Sequence, residues 1–410
     1  MEQKILVVED SRPFRRVIES ELRKAGFTPV IAFSIAEAET ILDQSTDFLC
    51  AILDYCLPDG QDGEIIDLCL AVGVKVIVLT GKMDELTRER VLAKTVIDYI
   101  PKDNPSCISN LIPILHRLAT NNQHRALVVD DSVTARKYIR SLLERQYIDV
   151  IEANGVSQAL SIMEHDKSIT LVITDYAMPE RNGVELVKTL RKQYHTGELA
   201  IIGLSASDEI ALTAKFLKAG ANDYLKKPFN QEEFYCRLHS TLNILDAERQ
   251  LYQMANQDYL TQTWNRRYFF EHPLAKNHHM PRCLALLDID NFKLINDTYG
   301  HHIGDLVLIE LAQLLQRYFP DAIVARIGGE EFCVLYGNAS QIFKQRLQAL
   351  VYDIAHTELS LLGQNINFTV SLGLVHAEAN IHDLLKRADN CLYKAKNDGR
   401  NCLVCEPEHH

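Results

Sequence analysis

Through the first 245 residues, short apolar runs alternate with stretches of helical periodicity. The first run, residues 5–8, is four residues long and ends in charge, as a buried strand does. Pro13 suits the first turn of a helix, and Phe14, Val17, Ile18 and Leu22 recur three to four apart up to Gly26. Apolar runs at 48–53, 75–79 and 96–100 predict further strands, with helical patterns between them. Strict alternation of strand and helix predicts a parallel, doubly wound α/β sheet.

The pattern occurs twice. Ile5-Leu6-Val7-Val8-Glu9-Asp10 returns as Ala126-Leu127-Val128-Val129-Asp130-Asp131, and the run from Ala51 to Pro58 returns from Val172 to Pro179, both at an offset of 121 residues. Thr80 against Ser205 and Lys102 against Lys227 follow at an offset of 125. A duplicated domain of five strand–helix units explains this matched order. In such folds, residues just past the carboxyl ends of the strands share one crevice. Glu9, Asp10, Asp54, Thr80 and Lys102 occupy such positions, as do Asp130, Asp131, Asp175, Ser205 and Lys227. Gathered carboxylates repel one another unless a hard divalent cation binds them, and an all-oxygen set suits Mg²⁺. The central aspartate could then attack a phosphoryl donor, with the hydroxyl and the lysine on the phosphoryl oxygens. A lone acid at a strand end reads more simply as a helix cap; five matched positions, found twice, do not.

On these residues both copies resemble the receiver domains of two-component response regulators, over roughly residues 1–245. The resemblance implies phosphoryl acceptance at Asp54 and Asp175 and metal binding by Glu9, Asp10 and Asp54 and by Asp130, Asp131 and Asp175. It also implies switch roles for Thr80, Lys102, Ser205, Tyr224 and Lys227, and a sensor histidine kinase or phosphotransfer protein as partner. The second copy follows the family through Tyr224-Leu225-Lys226-Lys227-Pro228-Phe229, where the lysine–proline peptide is usually cis. The first departs from it, since Pro101 precedes Lys102 instead of following. That departure predicts a less defined place for Lys102 and ranks Asp175 above Asp54 as acceptor.

From 231 to 255 the periodicity stays helical, with Phe234, Leu238, Leu242 and Leu245 three or four apart and Leu251 and Met254 extending it. A continuous helix through a connecting segment at 246–257 would transmit a change in dimer packing. The simpler alternative is a terminal helix followed by a frayed linker.

After residue 255 the motifs change. Asp258-Tyr259-Leu260-Thr261 leads to Asn265-Arg266-Arg267, and a strand at 283–287 runs into Asp288-Ile289-Asp290-Asn291-Phe292-Lys293. Asn296-Asp297 and Gly300-His301-His302-Ile303-Gly304-Asp305 precede a helical stretch at 306–318. Then Gly328-Gly329-Glu330-Glu331 forms a turn between two apolar strands. Asp288 ending one strand and Glu330 opening its neighbour can share one or two divalent ions, an arrangement suited to nucleotidyl transfer. A Gly-Gly turn lets backbone approach phosphates closely. Lys293, Lys396 and Arg400 add local positive charge.

These strings resemble the GGDEF family of diguanylate cyclases, in its GGEEF form, over about residues 250–405. The resemblance implies an α+β, nucleotide-cyclase-like domain at 258–410, behind receiver domains at 1–120 and 121–245. It implies that Asp288, the carbonyl of Ile289 and Glu330 hold Mg²⁺ or Mn²⁺, while Asn296 and Asp305 read guanine. Phe292, Gly328, Gly329 and His301 would line the GTP site, Lys293, Lys396 and Arg400 would hold phosphates, and Glu330 or Glu331 would assist deprotonation of the 3′-hydroxyl. The family's Arg-x-x-Asp inhibitory product site would fall on Phe319 and Ala322, and Arg317 and Asp321 stand nearby at the wrong spacing.

Composition narrows the partners. The net charge of -12 argues against nucleic acid and anionic membrane. No apolar run approaches the ~20 residues of a membrane helix, and residues 1–10 show no signal-peptide pattern, so a cytoplasmic protein is expected. Cys402 and Cys405 form a CxxC with no second pair at zinc-site spacing. The reading is a phosphorylation-regulated, homodimeric diguanylate cyclase. Its alternatives are a catalytically silent GTP-binding module and a cyclase of relaxed nucleotide choice.

Overall fold

Two parallel five-stranded sheets of the same strand order lie one after the other in the first 245 residues. The computed structural model describes residues 3–60, 62–81, 85–102, 107–179, 181–206, 210–277, 280–337 and 340–407. The chain divides into two units, Met1–Arg249 and Gln250–His410.

The first copy runs β1 (Lys4–Val8), α1 (Arg12–Lys24), β2 (Thr28–Ala32), α2 (Ile35–Gln44), β3 (Cys50–Asp54), α3 (Glu64–Ala71), β4 (Val76–Thr80), α4 (Glu85–Ala93), β5 (Asp98–Pro101) and α5 (Cys107–Thr120). The second runs β6 (Arg125–Val129), α6 (Val133–Arg145), β7 (Asp149–Ala153), α7 (Val156–His165), β8 (Ile169–Asp175), α8 (Gly183–Leu190), β9 (Ala200–Ser205), α9 (Ile210–Ala219), β10 (Asp223–Lys226) and α10 (Gln231–Asn256). The orders β2-β1-β3-β4-β5 and β7-β6-β8-β9-β10 are equivalent, and every pairing is parallel. Central strands β3, β4, β8 and β9 are buried along their whole length, as sheets covered on both faces require. Two strands begin two residues later than the apolar runs predict. Leu49 and Val96 still pack into the core, but from the turns that precede the ladders.

The two copies touch. Arg88 of α4 pairs with Glu232 of α10, and Arg117 of α5 pairs with Asp246 of α10 at 2.5 Å. Gln231 donates to the Val96 carbonyl at 2.9 Å. In α10, Phe234, Leu238, Leu242 and Leu245 are buried as the periodicity predicts, whereas Leu251 and Met254 are 66% and 78% exposed.

The second unit contains β11 (Trp264–Asn265), α11 (Arg266–Glu271), α12 (Pro273–Lys276), β12 (Arg282–Ile289), α13 (Phe292–Tyr299), α14 (His301–Tyr318), β13 (Ile323–Arg326), β14 (Glu331–Tyr336), α15 (Ser340–His356), β15 (Leu359–Leu361), β16 (Gln364–Ile366), β17 (Val370–Ala377), α16 (Ile381–Asn397) and β18 (Leu403–Cys405). Its main sheet has the order β11-β13-β14-β12-β17-β18, with β12 antiparallel to β14 and β17. Side chains of β12 alternate between two cores. Cys283, Ala285, Leu287 and Ile289 meet α13, α14 and α15, while Leu284 and Leu286 meet α11, α12 and α16. Asp288 continues the second set, toward α16.

Candidate active site

Strand register brings the acids together. Asp288, near the end of β12, is the direct cross-strand partner of Glu331, the first residue of β14. Glu330 is therefore the last residue of the turn and does not open the strand as the sequence predicts, because the ladder begins only at Glu331. Lys396, in the last turn of α16, places Nζ 2.9 Å from Asp288 Oδ1. Burial raises the Asp288 carboxyl above the ordinary carboxylate range; Lys396 pulls it down, and Glu330 and Asp290 push it up. Glu331 is raised in the same way, first by burial and then by Asp288. Asp288 and Glu331 face one another across the strand pair, with Glu330 next in the turn. Their hard oxygens, with the Ile289 carbonyl adjoining, fit a divalent ion of the Mg²⁺ or Mn²⁺ kind.

The Gly-Gly turn is held by a contact the sequence reading missed. Arg326 donates to the Gly329 carbonyl from Nε at 2.9 Å and from Nη2 at 2.7 Å, and from Nη1 to Asp258 at 2.9 Å. Burial alone would raise the Asp258 carboxyl, but the Thr261 and Arg326 donors hold it below the usual range. At Gly328 a side chain would run into the Glu331 carboxylate, which lies over that glycine. Asp290 was also missed. It accepts from Thr369 Oγ1 at 2.7 Å, Ser371 Oγ at 2.6 Å and the Asn401 amide at 3.0 Å. It thus ties the loop after α16 to the end of β12. The signal was present as Asp258-x-x-Thr261 and as the second acid of Asp288-Ile289-Asp290, but neither motif names its partner.

The remaining predicted residues of this unit lie on the neighbouring helices and turns. The Asn296 carboxamide on α13 rests against the backbone of Gly304 in α14, where an added methyl would overlap its oxygen. Phe292 packs partly buried against the core and also faces Gly304. Lys293, His301, Asp305 and Arg400 are exposed at the ends of α13, α14 and the α16 loop. Phe319 is buried in the core at 1% exposure. Arg317 sits in the last turn of α14, within the helical stretch the sequence predicts, and pairs with Glu310 at 3.5 Å. Asp321 pairs with Arg346 at 2.7 Å. The two residues therefore do not form one site.

Each receiver-like copy builds its own crevice. In the first, carboxylate oxygens of Glu9, Asp10 and Asp54 lie within 4.8 Å of one another. Lys102 Nζ is 2.7 Å from Glu9 and 2.6 Å from Asp54. Pro101 does not displace the lysine, contrary to expectation, because Pro101 sits opposite Thr80 in the ladder and the Lys102 amide donates to the Thr80 carbonyl at 2.7 Å. In the second, Lys227 Nζ is 2.6 Å from both Asp130 and Asp175, and Asp131 is exposed beside them. Burial raises the Asp175 carboxyl, and Lys227 pulls it back. Ser205 ends β9, Tyr224 lies on β10 against Phe216, and Lys227–Pro228 is cis.

Residues 255–402 match the GGDEF diguanylate cyclase domain, and 126–239 match the response regulator receiver domain. A solved structure, "putative two-component system response regulator/ggdef domain protein", is 38% identical with a TM-score of 0.55, covering 60% of this chain and 100% of that one. This chain belongs to the response regulator/GGDEF domain proteins. Response regulator PleD of Caulobacter vibrioides is 30% identical over 308 residues, 68% of this chain and 65% of PleD. The chain thus spans less than two thirds of that relative's length. Probable diguanylate cyclase DgcT of Escherichia coli is 35% identical over 184 residues, 42% of this chain and 39% of DgcT. The receiver match falls on the second copy alone, although both copies of this GGDEF response regulator share one sheet order. No helix is long and apolar enough to cross a membrane among the described residues.

Proposed function

We propose that the protein is a diguanylate cyclase whose output is set by phosphorylation of receiver aspartates. The observation that carries the reading is the pairing of Asp288 with Glu331 across β12 and β14, with Glu330 at the turn and Lys396 on Asp288. The 3′-hydroxyl of each GTP attacks the α-phosphorus of the other, releasing two pyrophosphates. One domain presents one GTP, so two copies meet with two-fold symmetry, and a homodimer is part of the reaction. Asp288, the Ile289 carbonyl and Glu330 would hold Mg²⁺ or Mn²⁺, which supplies charge neutralisation on the triphosphate. Glu331 assists removal of the 3′ proton, its raised carboxyl being closer to a working base than an ordinary glutamate. Asn296 and Asp305 read the guanine edge, where a carboxylate complements its two donors. Phe292 and His301 border the base, Gly328 and Gly329 admit the phosphates, and Lys293, Lys396 and Arg400 bind them.

In this reading both copies are receivers, Asp54 and Asp175 accept a phosphoryl group from a kinase or phosphotransfer protein, and the domains run 1–120, 121–245 and 258–410 with 246–257 between. Support for the first copy is the Lys102 bridge to Glu9 and Asp54. The test is incubation with GTP and Mg²⁺, with and without a small phosphoryl donor, followed by product chromatography and mass. Wild type yields cyclic di-GMP, more with donor, while Glu330→Gln yields at least ~10³-fold less. A Glu330→Gln enzyme keeping a tenth of wild-type turnover would remove Glu330 from the site. Intact mass of Asp54→Asn and Asp175→Asn after donor treatment assigns the acceptors.

A further inference from the structure

Behind α13, away from Lys293 and Asn296, lies a cavity that none of the chemistry above uses. Its volume is about 320 Å³, at the lower end of the ~300–1,000 Å³ usual for small-molecule sites. One wall is the reverse side of α13; another is the segment just before β17, with Ala355 of α15 between them. Asn291, Thr298, Tyr299 and Asn367 bring two carboxamides and two hydroxyls to the lining, and Phe368 brings an apolar ring.

The charge pattern restricts the ligand. No lysine, arginine or histidine lines the cavity. Its acid, Asp290, already accepts from Thr369, Ser371 and the Asn401 amide. A phosphate would find an anion and no cation there, so the occupant is not an anion. Carboxamides and hydroxyls beside aromatic rings suit a flat, hydrogen-bonding heterocycle. A carboxamide presents one donor and one acceptor side by side, the complement of an adenine edge. Guanine is the poorer match, since its paired donors call for a carboxylate such as Asp305.

We propose that this cavity binds an uncharged adenine-type base or nucleoside, at a place separate from the acids of Asp288 and Glu331. A ligand seated there bears on α13, the helix that carries Lys293 and Asn296, so its occupancy is felt as a change in KM for GTP.

The experiment titrates adenosine into the full-length chain, by calorimetry and ligand-observed NMR, in the presence of saturating GTP. Binding is expected to survive GTP and to weaken at least ~10-fold in Asn367→Ala and in the cavity-filling Ala355→Trp, with adenosine monophosphate at least ~10-fold weaker than adenosine. Circular dichroism and GTP binding establish that each variant is folded, and Thr298→Val serves if Ala355→Trp is not. The proposal fails if adenosine shows no binding up to ~10 mM. It fails equally if GTP displaces adenosine, if the cavity variants bind as well as wild type, or if the monophosphate binds as tightly.

Discussion

Lys396 Nζ lies 2.9 Å from Asp288 Oδ1, so the lysine at the end of α16 already neutralises a buried acid of the site. A divalent ion arriving at Asp288 competes with that ammonium, and the lysine released is free to meet a phosphate. Lys396→Met therefore has opposite effects on two measurements. Mn²⁺ should bind the variant more tightly, by roughly three- to tenfold, because its competitor is gone. Turnover should fall about 10²-fold, because a phosphate contact is lost. Metal affinity by Mn²⁺ titration and kcat from initial rates separate the two. Weaker metal binding in Lys396→Met would show that the lysine organises Asp288 rather than competing for it.

Gly304 and Asn296 make a second pair. A methyl at Gly304 would occupy the position of the Asn296 carboxamide oxygen. Gly304→Ala is expected to keep its fold, since the obstacle is the end of a side chain and the residue is helical. Asn296 must swing away, and KM for GTP should rise about tenfold with kcat changed less. Restored affinity in Gly304→Ala with Asn296→Ala would indicate that the displaced carboxamide obstructs GTP, and that a lost contact to guanine was not the cause.

Much of this was legible in the sequence, and the exceptions have physical causes. The parallel, doubly wound sheets of unit 1 followed from the alternation of strand and helix, because buried strands are uninterrupted apolar runs. Helix α14 begins at His301, five residues before its predicted start, because the first turn carries histidines and glycine instead of apolar residues. Leu251 and Met254 keep the helical period yet are exposed, since periodicity cannot name the surface a stripe faces. Asp258, Asp290 and Arg326 were hidden because their partners are backbone groups or residues far along the chain; Asp258 and Arg326 stand 68 residues apart. Lys102 was misjudged because the proline rule concerns the peptide after the lysine, whereas the ladder at Thr80 holds the lysine from before it.

Asp98 offers a pH test. Burial raises its carboxyl to about 6, with Glu232 adding to the rise and the Tyr99 amide opposing it. The folded value lies above the unfolded one, so the folded chain takes up this proton first. Stability from this group is therefore gained as pH falls from about 6 toward 4 and is missing above 6. Asp98→Asn should stabilise the chain at pH 7.5 by on the order of 1–2 kcal/mol, after discounting for partial exposure. The gain should vanish near pH 4. Urea unfolding at the two pH values decides it, and a gain equal at both would exclude the titration as its source.

Feedback gives the last prediction. A bidentate guanidinium and a guanine-reading carboxylate need an arginine and an aspartate three residues apart on one accessible surface. Phe319 is buried in the core, and Ala322 has no hydrogen-bonding side chain. Arg317 is occupied with Glu310 and Asp321 with Arg346, on different elements. Initial velocity at fixed GTP should therefore hold steady as cyclic di-GMP is added from nanomolar to tens of micromolar, and loss of the receiver phosphate should be the off-switch. Replacing both Arg317 and Asp321 by alanine should leave the curve unchanged. Low-micromolar inhibition that disappears in that double variant would mean the two pairs open to form a product site. Inhibition that persists in it would place the product elsewhere, on a surface completed by a second copy.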